Sequence, residues 1–302
     1  MNIKDLENFK NKNHSELFFN FDIKKLNWFN IGGKSKIFFK PKNLKELKEF
    51  LLLYSNRGKI FVLGLGSNVL FKDETYNGVV IKLSNNFSSI SKLNNETIIA
   101  GSSCSQKKVS DFAMKNNISG FEFMHCIPGS IGGGIKMNSG CFGKEFKDLI
   151  VSIQCIDYYG NIKVIPSEKI KFNYRNIELD KDLIFLSATF KGNLSEKLKI
   201  KSCMDELIEK KNNTQPSKIK TGGSTFKNPI EQTEKKVWEL IKLSVPENIN
   251  FGDATISKMH SNFFVNKNNA TFQQMNSLIN FVKKSVKEKT GINITLEIQI
   301  VD

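Results

Sequence analysis

The apolar residues of this chain recur with two periods, and the two alternate along its length. In residues 44–54, LKELKEFLLLY, the side chains of Leu44, Leu47, Phe50, Leu51 and Tyr54 fall on one helical face. Asn43 stands at the cap position and Glu46, three residues on, completes a capping box, so a core-packing helix is predicted here. Further helices are predicted over residues 105–115, in a Lys/Glu-rich stretch after Gly192, and over residues 235–243. A long one spans residues 272–289: Thr271 and Gln274 open it, Met275, Leu278, Ile279, Val282 and Val286 share one face, and Gly291 follows its end. Short apolar or alternating runs predict strands at residues 60–63, 79–83, 97–101 and 183–190, on both sides of the turn Tyr159-Gly160-Asn161, and over residues 292–300.

Strands and helices in this rhythm, broken by glycine loops, predict a mixed α+β or α/β chain. Its 302 residues exceed what one hydrophobic core usually fills, roughly 250–300, so more than one packed unit is expected. Composition changes after Gly192, which places a boundary near residue 193. The first 25 residues read as an extension ahead of the folded units, and no internal repeat or low-complexity tract is present.

The formal charge of +15 admits a nucleic acid, an anionic surface or an anionic small molecule as partner. The lysines are spread over the whole chain without a basic stripe interleaved with aromatics, which argues for Lys/Asn/Ile background composition and against dedicated nucleic-acid binding. Only two of the 45 basic residues are arginine. Arg57 lies in the turn-like SNRGK and reads as a surface residue. Arg175 lies among aromatics in FNYRN, and is the better candidate for a site that needs a planar fork to hold a carboxylate or phosphate. The five cysteines form no CxxC pair and read as reduced, mostly buried thiols, with no metal site. No run approaches the roughly 20 apolar residues of a membrane span, and the first residues carry acids and no apolar stretch, so the cytoplasm is the expected location.

Candidate chemistry starts at the glycines. Residues 127–143 hold six of the chain's twenty glycines, a local removal of side chains that suggests close approach of backbone N–H groups to a phosphate-bearing cofactor; tight turns are the alternative. A second loop, Gly64, Leu65, Gly66, Ser67 and Asn68, follows a predicted strand. It matches the dinucleotide fingerprint GxGxxG only in part, because Val69 occupies the third glycine's place, and no GxxxxGK[ST] is present.

Taken together and in order, GLGSNVLF, GFEFMHCIPGSIGGGIKMNSGCFG, FNYR and GGSTFKNP closely resemble the family of UDP-N-acetylenolpyruvoylglucosamine reductases. The resemblance runs from Trp28 to Glu297. It implies an α+β fold: an FAD-binding module of the vanillyl-alcohol-oxidase type over residues 26–192, in two subdomains split near residues 85–95, then a substrate-binding domain over residues 193–302. Residues matching the family's flavin contacts are Gly64 to Asn68, Gly101, Ser102, Ile127, Pro128, Gly129, Ser130, Gly132 and Gly133. The later glycines, Gly140 and Gly143, read as turn positions.

The implied reaction is NADPH-dependent, in peptidoglycan precursor synthesis: hydride passes by way of FAD to C3 of the enolpyruvyl group, and C2 is then protonated, giving UDP-N-acetylmuramate. Arg175 matches the guanidinium that stabilises charge spreading into the substrate carboxylate, and Ser224 matches the hydroxyl that protonates C2. Glu297 matches the acid that accompanies the arginine, a role that requires it to be protonated or strongly hydrogen-bonded. Lys227 and Asn228 are softer candidates for contact with the UDP portion, as are lysines of the loop at 210–220. His125 and His260 receive no chemical step. Thr255, where a Gln is common, and Gln299, where a basic residue often stands, depart from the family pattern. The short connection from Phe190 to Gln215 leaves no room for a substrate-capping insertion, as in the shorter, type II form. The implied partners are small molecules only, with no nucleic acid or membrane, and a monomer. An oxidase sharing the flavin module is the alternative, its marker being a C-terminal domain without GGSTFKNP.

Overall fold

The computed structural model describes residues 3–54 and 57–302; Met1, Asn2, Ser55 and Asn56 lie outside the described residues, and with them part of the SNRGK stretch expected to be turn-like. The chain divides into two units, neither of them one continuous stretch. Residues 3–19, 37–54, 57–65 and 78–211 make the first, and residues 20–36, 66–77 and 212–302 the second.

The first unit has two cores. One lies against a sheet with strand order Glu16–Asp22, Lys34–Lys40, Tyr76–Ile81, Lys59–Val62, beneath helices α1 (Ile3–Asn13) and α2 (Leu44–Tyr54). The N-terminal residues, expected to stand apart, belong to this core: Leu6 and Leu17 are fully buried. Helix α2 buries Leu47, Phe50, Leu51 and Tyr54 as its periodicity predicts, and Phe50 stacks on Phe39 with ring centroids 4.1 Å apart. Its cap is wider than predicted. Asn43 Oδ1 accepts from Glu46 N at 2.9 Å, while Glu46 Oε2 accepts from Lys42 N at 2.6 Å, one residue ahead of the cap.

The second core of this unit fills one side of an antiparallel sheet ordered Ile162–Pro166, Ile150–Asp157, Leu183–Lys191, Thr97–Gly101, Ile90–Lys92. Helix α3 (Gln106–Lys115) is capped by Ser105, whose hydroxyl accepts from Lys108 N. Part of the glycine-dense segment is helix, which propensity opposes: α4 (Ile131–Lys136) reads IGGGIK. Ser130 caps it, and packing requires one of its glycines, since a Cβ on Gly134 would stand 2.3 Å from Cζ of the buried Phe146 ring. Helix α5 (Lys197–Thr214) follows. The chain leaves the first unit after Lys211, downstream of the composition change at 193, because Asn193–Leu194 pairs with Ile118–Ser119 and α5 buries Ile200 and Met204.

The second unit holds a sheet ordered Thr221–Ser224, Phe263–Asn266, Ala254–Ile256, Asn250–Phe251, with helices α6 (Val237–Ser244) and α7 (Phe272–Thr290). The five predicted positions of α7 are all buried, in one core with Val237, Leu240 and Ile241 of α6 and with Phe29 and Ile31. Thr271 and Gln274 form a reciprocal cap, and Gly291 ends the helix at φ +73°. The strand expected over residues 292–300 is shorter: only Gln299–Val301 is strand, parallel to Val69–Phe71. Ahead of it the backbone turns its N–H groups to a different neighbour, Glu297 N donating to Thr225 O at 2.9 Å.

Gly134→Ala tests the packing account of α4. Intrinsic propensity favours alanine by about 1 kcal/mol, whereas the collision with Phe146 costs about 1–3 kcal/mol. The urea midpoint is expected to fall; a rise would show that Phe146 moves aside without strain.

Candidate active site

In the first unit the predicted flavin residues come together in two contacts that only small residues permit. A Cβ on Gly64 would stand 2.5 Å from Ser130 Oγ, and one on Gly132 would stand 3.2 Å from the Ser102 side chain. The backbone, however, is not left open in the way the glycines suggest. The amides of Gly101, Ser102, Ile131 and Gly132 donate to carbonyls of Ser89, Leu186, Cys104 and Ser102 at 2.8–2.9 Å, and Gly133 N donates to Ser130 Oγ at 3.2 Å. The glycines here provide room rather than free N–H groups. A polar group does remain: Ser102 Oγ is buried with no hydrogen-bond partner among the described residues. Pro128 and Gly133 face solvent. A cradle that a Cβ would fill, together with an orphaned hydroxyl, fits a cofactor with phosphate or flavin oxygens that packs closely on backbone. The approach to this segment is held from two helices. Lys211 Nζ of α5 donates to Cys126 O at 2.8 Å, and the His125 ring stands 3.0 Å from Asp111 of α3. Burial lowers the His125 pKa, with Lys107 adding and Asp111 opposing, consistent with a neutral structural ring.

Arg175 occupies a two-residue turn between Lys171–Asn173 and Asn176–Glu178, at φ +55°. This left-handed conformation suits glycine or asparagine; an arginine there costs of order 1–3 kcal/mol. Its guanidinium donates from Nη2 to Gly140 O at 2.7 Å, lies 5.0 Å over the Tyr174 ring and stands 3.9 Å from Glu145. Gly140 is thus more than a turn: a Cβ there would stand 2.2 Å from Lys144 O, and its carbonyl anchors the arginine. The turn itself is Phe142-Gly143, both at positive φ. Cys141, next to this carbonyl, has its pKa pushed up to about 12, burial being the largest cause, so the thiol is neutral and supplies no counter-charge. Fully buried Asn138 braces the arrangement, donating to Glu145 Oε2 at 3.0 Å and to Asn173 O at 3.1 Å.

In the second unit the two glycines before Ser224 form a bulge. Thr221 pairs with Val265 and Ser224 with Phe263, a register shift that takes up Gly222 and Gly223, the latter at φ +76°. Bulges of this kind re-aim the side chain that follows them. The next residues bring Glu297 alongside: Glu297 N donates to Thr225 O and Lys227 N to Thr295 O, both at 2.9 Å. Asn68 adds a brace, its Nδ2 donating to Glu297 O at 3.0 Å and its own carbonyl accepting from Gln299 N at 2.9 Å. Ser224 and Glu297 therefore sit on paired segments, each with a protein-bound neighbour on its other side. Gly66 is fixed by the fold, at φ +71° with its carbonyl accepting from Trp28 N. Chain membership passes from the first unit to the second between Leu65 and Gly66.

The other edge of the Ser224 segment is completed by a residue that nothing in the sequence singled out. The Asn262 backbone carbonyl accepts from Thr225 N at 2.8 Å; its Oδ1 accepts from Phe226 N and its Nδ2 donates to Phe226 O, both at 2.9 Å. One buried carboxamide thus replaces a strand. In a chain rich in asparagine, no local signal separates this one from the rest. Asn228 also has a duty in the fold, its Oδ1 accepting from Val237 N at the start of α6 at 3.0 Å. Thr255 donates to Ile249 O, and His260 Nδ1 accepts from Asn262 N, which ties that ring to the same clamp. Burial lowers the His260 pKa. Among the described residues no cluster of His, Cys, Asp or Glu is placed to hold a metal ion.

Asn262→Ala leaves the Phe226 N–H and C=O buried and unpaired, at about 1–3 kcal/mol for each group. The expected loss is about 2–5 kcal/mol by urea unfolding, with Asn262→Asp, which keeps the acceptor, losing less. An alanine variant as stable as the parent would remove the clamp from this account.

Residues 215–301 match the family described as UDP-N-acetylenolpyruvoylglucosamine reductase, C-terminal domain, and residues 35–165 match an FAD binding domain family. The first match carries the C-terminal domain that an unrelated flavin oxidase would lack. The chain is 58% identical over 300 residues to the UDP-N-acetylenolpyruvoylglucosamine reductase of Pelagibacter ubique, covering 99% of both chains. It is 43% identical over 279 residues to that of Rickettsia bellii, covering 92% of this chain and 91% of the relative. Among solved structures, the reductase of Thermus caldophilus is similar at a TM-score of 0.79 and 26% identity, covering 95% of this chain and 99% of that one. With an FAD-binding region followed by the reductase C-terminal domain on an α+β fold, this chain belongs to the UDP-N-acetylenolpyruvoylglucosamine reductase family.

Proposed function

We propose that this protein reduces UDP-N-acetylglucosamine enolpyruvate to UDP-N-acetylmuramate with NADPH as reductant and FAD as cofactor. The observation that carries the reading is the pairing of the Ser224 and Glu297 segments, built by the GGSTFKNP bulge, in a chain so close to proteins bearing the reductase name. The residues that would hold FAD are Gly64 to Asn68, Gly101, Ser102, Ile127 to Ser130, Gly132 and Gly133. FAD bound there and reduced by NADPH supplies a hydride to C3 of the enolpyruvyl group.

The chain's own residues handle the charge and the proton. Electron density arriving at C2 spreads into the adjoining carboxylate, and the Arg175 guanidinium is the group that binds it. Its Nη2 donates to Gly140 O, and its plane is set by the Tyr174 ring, so the fork is oriented before a carboxylate arrives. Ser224, aimed by the bulge, holds the proton delivered to C2. Glu297 is assigned the acid's part in the reaction, its backbone held by Thr225 and Asn68. Lys227 and Asn228 follow Ser224 in sequence and are assigned to the UDP portion. The remainder of the reading is a cytoplasmic monomer acting on small molecules; no helix among the described residues is long and apolar enough to cross a membrane.

The test separates the two half-reactions. Purified protein should take up FAD and sustain NADPH consumption beyond one equivalent per flavin only when the enolpyruvyl substrate is supplied; protein unable to take up FAD would refute the reading. Ser224→Ala should keep flavin reduction by NADPH near the parent rate and lose about 10²–10⁴-fold in reoxidation by substrate. Arg175→Lys keeps the charge but not the fork, and should lose about 10²–10³-fold in the same half-reaction. Equal loss in both halves would make either residue structural.

A further inference from the structure

One charged side chain beside the proposed flavin cradle is not explained by the fold or by the reaction. Lys82 follows the strand Tyr76–Ile81, and its backbone N–H donates to Phe39 O at 2.9 Å. The side chain is half-buried, and its Nζ donates to Gly64 O at 3.1 Å. Among the described residues Lys82 forms no ion pair. Lys40, whose charge acts on it, is paired with Glu16 at 2.9 Å and adds like charge rather than relief. Burial, and secondly Lys40, lower the Lys82 pKa. A lysine on the surface of this chain has water for its ammonium; Lys82 gives up much of that water for a single neutral carbonyl. Such a cation is costly unless an anion completes it.

The carbonyl it chooses belongs to Gly64, the residue whose missing Cβ makes room beside Ser130 Oγ. Gly64, Ser130, Lys82, and the Ser102–Gly132 pair all lie in the first unit. The ammonium has three donors and one is spent on Gly64 O, so two remain for an oxygen-rich ligand seated at this loop. The carbonyl oxygens of a flavin ring and the nitrogens of an adenine would accept from them but are neutral; a diphosphate also brings the negative charge that this ammonium lacks.

We infer that Lys82 is a phosphate-binding residue of the cofactor cradle, donating to the diphosphate of FAD at the Gly64 loop. The inference rests on the FAD reading above. It assigns Lys82 a role in affinity and none in the hydride or proton steps. It also accounts for the burial: the residue lowers the stability of the cofactor-free protein and raises affinity for the dinucleotide.

Binding to cofactor-free protein tests this, followed by flavin fluorescence over a range of salt concentrations, with thermal unfolding of the same preparations. Lys82→Gln should bind FAD about 10–100-fold more weakly, with a flatter salt dependence, while Lys82→Arg stays within about threefold of the parent. The melting temperature of cofactor-free Lys82→Gln should equal or exceed that of the parent, since an uncompensated buried charge has been removed. Undiminished FAD affinity in Lys82→Gln, or weakening matched by a lower melting temperature without cofactor, overturns the inference. So does a variant that binds FAD normally and needs more NADPH, because the diphosphate would then be the reductant's. Parent protein that takes up no FAD overturns the functional reading and this inference with it.

Discussion

Buried backbone N–H and C=O groups must find partners, and the segments that carry the proposed site run largely outside regular ladders. Side-chain carboxamides supply what the ladders do not. Asn262 pairs both polar groups of Phe226; Asn68 holds the carbonyl of Glu297; Asn138 holds that of Asn173, one residue before the Tyr174-Arg175 turn; Asn266 donates to Phe29 O and accepts from Ala270 N. Each is a short side chain with one donor end and one acceptor end, the same pair a strand residue would offer. Ser224, Glu297 and Arg175 are each flanked by one of these braces, which pair the polar groups that the short strands near them leave over. The abundance of asparagine reads as background in the sequence, yet at these positions it is a structural material.

What the sequence makes legible follows from which interactions are local. Helices α2 and α7 are written in their own residues, with a cap, a face and, for α7, a glycine stop, and the structure places them within a residue or two of those signals. Helix α4 is not written that way. Three consecutive glycines oppose it, and what requires a glycine there is the Phe146 ring, twelve residues beyond Gly134 and fully buried. The strand expected over residues 292–300 fails for a related reason: alternation is local, but pairing is divided between Thr225 and Val69–Phe71.

The site shows the same division. Arg175 stands out by rarity, because an arginine in a chain that uses lysine elsewhere is a residue that chemistry retains. Ser224 and Glu297 emerge only through the family's pattern, since a serine after two glycines and an acid in an apolar run carry no signal of their own. Asn262 and Lys82 stay hidden, each one of many of its kind, and only their partners distinguish them. The glycine-dense segment is partly legible: it does mark close approach, but the amides of Ile131, Gly132 and Gly133 are taken by protein oxygens, so what they offer a ligand is space, beside the orphaned hydroxyl of Ser102.

Some of the local rules that this chain breaks are broken where the function is proposed: an arginine sits at φ +55°, and among the described residues Lys82 is half-buried without a counter-charge and the hydroxyls of Ser102, Thr221 and Thr225 are buried without partners. Others lie elsewhere, with Ser15 Oγ, Glu46 Oε1 and Ser244 Oγ also buried without a partner among the described residues and His14, Lys218 and Asn248 at positive φ. If a dinucleotide binds at the Gly64 loop, it supplies the complement that the Lys82 ammonium and the Ser102 hydroxyl lack among the described residues, and the stability those two groups cost is recovered on binding.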